Sequence, residues 1–99
     1  MTAIHIEREH TLGLQAARQV ARQWAEKAQA KFGLEWRCEE GAARDLVHFS
    51  GNGLRGTLAV TERLFGIDAQ LGFLAAAFKD KIAAEIVKNL DQLIGDRPA

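Results

Sequence analysis

The sequence predicts an α+β fold, a five-stranded antiparallel sheet with two helices packed on one face in the order β-α-β-β-β-β-α. Three observations lead to it. Two long segments, one near each end of the 99-residue chain, carry apolar residues at helical spacing. One segment before the first helix and four between the helices alternate apolar and polar residues with the period of two that marks a half-buried strand. The connections among those four are short, which suits antiparallel neighbours and is too little chain for the crossover that a parallel pair requires.

The first strand is Ile4 and Ile6 alternating with His5, Glu7 and Glu9. Thr11 then offers a helix N-cap. From Leu14 onward Ala17, Val20, Ala21, Trp24, Ala25, Ala28 and Phe32 recur every three or four residues, on an arc of about 140°. The opposite arc carries Gln15, Arg18, Gln19, Arg22, Gln23, Glu26 and Gln29, so this is a one-sided surface helix, and Gly33 is placed to end it. Leu34, Trp36 and Cys38 alternate with Glu35, Arg37 and Glu39 in a second strand. A loop around Gly41 leads to a third, with Val47 and Phe49 on one face, and Ser50 to Gly53, "SGNG", is a turn signal. Leu58 and Val60 belong to a fourth strand, Thr61 to Arg63 turn the chain, and Phe65, Ile67, Ala69 and Leu71 form the inward face of a fifth.

The opposite sets from these strands are His5, Glu7, Glu9, Glu35, Arg37, Glu39, His48, Arg55, Thr57, Thr61, Asp68 and Gln70. One sheet face is therefore wet, and the other needs a helical layer. The last helix is greasier than one contact with a sheet demands. It follows "LGFLAAAF", Leu71 to Phe78, eight residues without a charged or polar side chain. With Leu74 as origin, Ala75, Phe78, Ile82, Ile86, Leu90 and Leu93 form a core-facing stripe, and Ala76, Ala83, Val87 and Ile94 widen the apolar arc to about 220°. Either this helix touches both the sheet and the first helix, or part of it meets a partner or ligand.

The length fits one domain spanning 1–99, with 47% apolar and 26% charged residues, as in an ordinary soluble globular protein. Thirteen Lys and Arg balance thirteen Asp and Glu, and the signs alternate along the chain. No basic stripe exists to release counterions from a nucleic acid, so no nucleic-acid partner is expected, while near-zero net charge permits a homodimer. Cys38 is the only cysteine, which excludes an intramolecular disulfide. Met1 to Glu9 has no apolar run of signal-peptide length, and no segment approaches the roughly 20 apolar residues that span a bilayer, so a cytoplasmic protein is expected.

Candidate chemistry is sparse. His5, His10, Cys38 and His48 lack the short paired spacings of zinc ligands, and no metal is expected. His5 and His48 share the outward sheet face and would meet only if their strands are neighbours. Neither Ser50 nor Cys38 has the setting of an activated nucleophile, and Cys38 reads as a small apolar residue facing inward. Gly51, Gly53 and Gly56 precede a strand and not a helix whose amides could hold a phosphate, so they read as turn glycines. Gly72 reads as a turn between the fifth strand and the last helix. Glu39 and Glu40 point to opposite faces and cannot act jointly as acid and base. Lys81 and Glu85 are spaced as an exposed helical pair. No catalytic residue and no cofactor site is assigned, and the expectation is a protein that is not an enzyme.

"HTLGLQAAR" at 10–18, "FGLEW" at 32–36, "GNGLRGTLAV" at 51–60 and "LGFLAAAFKDKIAAEIVKNLDQLIG" at 71–95 together resemble the polyhydroxyalkanoic acid system proteins, also called granule-region proteins. The order and spacing of the four pieces carry the resemblance, which covers nearly the whole chain. "GAARD" at 41–45 is longer than the tight turn of the family pattern, and Ala75 to Ala77 is blander. The resemblance implies a part in polyhydroxyalkanoate synthesis or use and brings no catalytic residues with it. Joined to the apolar excess, it implies a non-enzymatic accessory protein that associates with storage granules or granule proteins through Phe73, Leu74, Ala76, Ala83 and Val87. The alternative is a small hydrophobic-ligand-binding domain of helix-grip, START-like form, with a cavity lined by Trp36, Phe49, Ile67 and Phe78.

Overall fold

The computed structural model describes residues 2–95; Met1 and residues 96–99, the ends of the span read as one domain, lie outside the described residues. The elements are β1 (Thr2–Glu9), α1 (Leu14–Phe32), β2 (Glu35–Glu39), β3 (Asp45–Gly51), β4 (Leu54–Val60), β5 (Leu64–Leu71), a short α2 (Phe73–Ala76) and α3 (Lys79–Gly95). The strands form one antiparallel sheet in the order β1-β5-β4-β3-β2. The predicted α+β architecture is the observed one.

This order places the first two strands on opposite edges, and α1 carries the chain between them. Its 19 residues span about 28 Å at 1.5 Å per residue, enough to cross five strands of roughly 4.8 Å spacing. α1 lies on β2, β3 and β4, and α3 packs beside it, over α1 and β1. The apolar width of α3 thus has two neighbours to cover it. Ala17, Ala21, Ala25 and Ala28 are all buried on α1, so small side chains let its axis approach the sheet closely. Trp24 fills the space between them and meets the Phe49 ring edge-on, with centroids 5.2 Å apart. Val20, Val47, Leu58, Val60, Phe65, Ile67, Leu71 and Leu90 complete the centre of a single cluster of buried side chains.

Turn chemistry holds the end of the sheet near Gly53. Asn52 and Gly53 have φ of 51° and 79°, as a two-residue hairpin turn of primed type requires. Asn52 Nδ2 donates to the carbonyl of Phe32 at 2.5 Å, beside Gly33, whose φ of 66° closes α1 in the left-handed conformation. The two strongest turn signals in the sequence therefore meet in space.

Asp45, at the start of β3, is a buried carboxylate. Its Oδ1 accepts from the Gly41 N–H at 3.2 Å, and its Oδ2 lies 3.0 Å from Arg18 Nε, a close ion pair whose angle falls short of a hydrogen bond. Arg18 Nη2 donates to the Gly41 carbonyl at 2.5 Å. The long "GAARD" connection is thus folded back and clamped to α1.

Several expectations are corrected. Thr11 does not cap α1, which begins at Leu14 after Gly13, with φ of 80° and ψ of 166° and no side-chain cap. The backbone ahead of it is held by His10 instead. Gly56 is not a turn residue: it lies inside β4 opposite Phe49, whose ring covers it. Glu85 pairs with Lys31 of α1, at 3.4 Å, and not with Lys81. The final helix is not continuous from the end of β5 but divides into α2 and α3.

Candidate interaction site

The division of the last helix creates the most exposed apolar feature of the described residues. Gly72 ends β5, and its N–H donates to the Gly53 carbonyl at 2.7 Å, pinning the start of α2 to the β3–β4 turn. The Phe78 N–H reaches back three residues to the Ala75 carbonyl at 3.0 Å, and α3 begins with the Ile82 N–H on the Phe78 carbonyl at 2.9 Å. A bond to the third residue back tightens the chain and shifts the helical phase. Phe73, Leu74 and Phe78 consequently face outward, 93%, 80% and 60% exposed. They are the exposed large hydrophobic side chains among the described residues.

Of the five residues expected at an interaction surface, Phe73 and Leu74 stand on this projection. Ala76 and Ala83 are half-buried and pack against the core, and Val87 is half-buried along α3. Phe78, which the helical wheel anchored at Leu74 had turned toward the core, joins the exposed group, as does Leu74 itself. The sequence carried no signal for the break, because Ala75 to Ala77 fit a helix without interruption. Within α3 the expected stripe holds, with Ile86, Leu90 and Leu93 buried and Ile82 half-buried.

The opposite sheet face is wet, as its alternation predicts. One row of cross-strand partners runs through all five strands: His5, Asp68, Thr57, His48 and Arg37. His5 and His48 lie on β1 and β3, with two strands between them, and do not meet. His5 Nδ1 contacts Asp68 Oδ1 at 2.5 Å, and His48 Nε2 contacts Glu39 Oε1 at 3.1 Å. The Asp68 carboxylate raises the His5 pKa, first through the hydrogen bond and then through its charge. No group of three or more His, Cys, Asp or Glu side chains is placed to hold a metal ion among the described residues.

His10 is buried in a different setting. Its Nε2 lies 3.0 Å from the Thr61 carbonyl, the Leu12 N–H donates to its Nδ1 at 3.2 Å, and its ring lies against Phe65. Those partners define one neutral tautomer, protonated on Nε2, and burial lowers its pKa. Cys38 is half-buried, and desolvation followed by the Asp45 charge pushes its thiol pKa up, so it stays a poor nucleophile.

The cavity expected between Trp36, Phe49, Ile67 and Phe78 does not form. Phe78 is outside, and Trp36 is half-buried with its Nε1–H donating to Gln29 Oε1 at 3.1 Å. Phe49 instead borders a different space, a void of about 10 Å³ between α1, α3 and the β3–β4 hairpin. No helix among the described residues is long and apolar enough to cross a membrane.

The protein is thus a two-layer α+β protein whose covered sheet face is filled by side chains and whose most distinctive surface is a short apolar projection. The family described as "Putative polyhydroxyalkanoic acid system protein" matches residues 4–94, nearly the whole chain, and the protein belongs to that family. No curated protein matches the sequence.

Proposed function

We propose that this protein is a non-catalytic, cytoplasmic accessory factor of polyhydroxyalkanoate storage metabolism that attaches reversibly to the surface of polyester granules through Phe73, Leu74 and Phe78. The observation that carries the proposal is the confinement, among the described residues, of the exposed large hydrophobic side chains to six consecutive residues at one end of the fold. Membership of the polyhydroxyalkanoic acid system family supports a place in polyester metabolism, and the granule as the surface met is the step this proposal adds. Full burial of such a side chain contributes about 1.5–3 kcal/mol. Three of them compete with an association cost of about 4 kcal/mol or more, which gives attachment that reverses and does not anchor.

The test is co-sedimentation with isolated granules. The wild type and Val87→Glu are expected to pellet alike, and Phe73→Ser/Leu74→Ser/Phe78→Ser to remain in the supernatant. Equal recovery of all three proteins would remove the projection from the proposal.

A further inference from the structure

β1 is the outermost strand on its side of the sheet, and no strand covers its far edge among the described residues. The main-chain bonding shows which groups face that edge. The His10 N–H donates to the Arg63 carbonyl, one step beyond the Glu9 and Leu64 pair, and the Thr61 N–H donates to the Leu64 carbonyl from the other side of β5. Antiparallel pairs alternate in their bonding. Thr2, Ile4, Ile6 and Arg8 therefore bond to β5, and Ala3, His5, Glu7 and Glu9 turn their N–H and C=O groups to the open edge. The Arg8 guanidinium reaches that edge, its Nη1 donating to the Glu7 carbonyl at 3.0 Å while its Nε pairs with Asp91 of α3.

The apolar row on the covered face is unfinished at the same place. Ile6, Ile67, Leu58 and Val47 are successive cross-strand partners. Ile67, Leu58 and Val47 are wholly buried, whereas Ile6 is half-buried because no strand follows it. An added strand would complete this row and bond the open main chain, the usual way in which a free sheet edge is extended.

The sequence of β1 decides which strand fits. Laid antiparallel to itself about Ile6, it sets Ile6 on Ile6, His5 on Glu7 and Ala3 on Glu9. The residues that face the open edge then oppose one another and exchange both main-chain bonds. His5 and Glu7 already attract within one chain, with Nε2 and Oε2 3.5 Å apart. Centring the pair on His5 or on Glu7 instead sets His5 on His5 or Glu7 on Glu7, and like charges directly opposite are destabilising. The other edge, β2, lacks this complementarity: the register that uses all of Glu35–Glu39 sets Glu35 on Glu39 and Arg37 on Arg37. Pairing through β1 therefore closes as a twofold dimer and does not propagate. The zero net charge of the chain adds no long-range repulsion.

We propose that two copies of this chain join antiparallel through β1, centred on Ile6, into one continuous sheet. The interface uses none of Phe73, Leu74 and Phe78 and stands or falls without granule attachment. Light scattering after gel filtration is expected to give the mass of two chains for the wild type and of one chain for Glu7→Pro. Position 7 accepts proline because its N–H faces the open edge and not β5, and far-ultraviolet circular dichroism checks that the variant keeps its fold. The register is read separately with Cys38→Ser/Ile6→Cys. Opposed Cα atoms about 4.5 Å apart suit a disulfide, so oxidation should link its chains. Cys38→Ser/Ala3→Cys, whose thiols would lie at opposite ends of the paired strands, should stay unlinked. A wild type with the mass of one chain overturns the proposal. A folded Glu7→Pro that remains dimeric overturns it equally, and so does an Ile6→Cys form that stays unlinked, a result that decides the matter even if Glu7→Pro fails to fold.

Discussion

His10 Nε2 lies 3.0 Å from the carbonyl oxygen of Thr61, and this contact joins the β1–α1 connection to the β4–β5 turn. The Leu12 N–H occupies the other ring nitrogen. Protonating Nδ1 would expel that N–H, and Glu9 and Arg63 border the same groove beside the ring. Burial lowers the folded-state pKa below the ordinary value of 6.5. The stabilisation is therefore fully present above pH 6.5 and is lost as pH falls through the lowered folded pKa. His10→Phe keeps a ring against Phe65 and leaves both partners unpaired, at a cost of about 1–3 kcal/mol near neutral pH. Urea midpoints at pH 7.5 and pH 5 check it: the loss on acidification should be smaller in the variant, and equal losses would refute the assignment.

His5 has the opposite sign. Asp68 and, more weakly, Glu7 raise its pKa, so its contribution is present below pH 6.5 and is lost as pH rises through the raised value. Both partners are exposed, and solvent screens the pair. Asp68→Asn should move the NMR titration midpoint of the His5 ring down, toward 6.5, while leaving that of His10 where it was. A His5 midpoint that stays put would assign the shift to something other than Asp68.

Asp45 is the fold's most demanding polar residue, with its side chain 2% exposed against Arg18 at 21%. Asp45→Ala strands the Arg18 guanidinium and the Gly41 N–H together, and removal of one partner of a buried pair costs about 3–5 kcal/mol. Partial exposure of Arg18 places the expected loss at the lower end. Arg22, which pairs with Glu40 on the surface, provides the contrast: Arg22→Ala should cost less than about 1 kcal/mol. Chemical denaturation of the two variants checks the difference, and comparable losses would show that the Asp45 clamp is not what secures the loop.

Periodicity was enough to reveal the sheet, its wet face and the buried stripe of α1, because each alternating or helical run is long and one face of it meets a continuous core. Gly56 shows where that reading stops. A glycine near a turn signal reads as part of the turn, and only the cross-strand register places it opposite Phe49, where a Cβ would come within 2.8 Å of the ring and 2.3 Å of the Asp68 carbonyl. Asn89 was hidden for a related reason. A polar residue between Lys88 and Leu90 looks like helix surface until α1 is seen to roof it. Likewise, Asp45 looks like one more loop charge until Arg18 is brought alongside. Each of these depends on a contact distant in sequence, which local pattern does not encode.

The projection at α2 combines exposure with a lack of structural duty, and the two consequences can be separated. Phe73 and Leu74 give up little on replacement because they bury little in the isolated protein, so Phe73→Ser/Leu74→Ser should leave stability within about 0.5 kcal/mol per site. Replacing Leu90, which is fully buried on α3, by Ala should cost about 2–5 kcal/mol. If the double serine variant unfolds at the wild-type denaturant concentration yet fails to pellet with granules, loss of attachment follows from loss of apolar surface. A large drop in its stability would mean instead that α2 is braced against the body of the fold, and the site of attachment would have to be sought elsewhere.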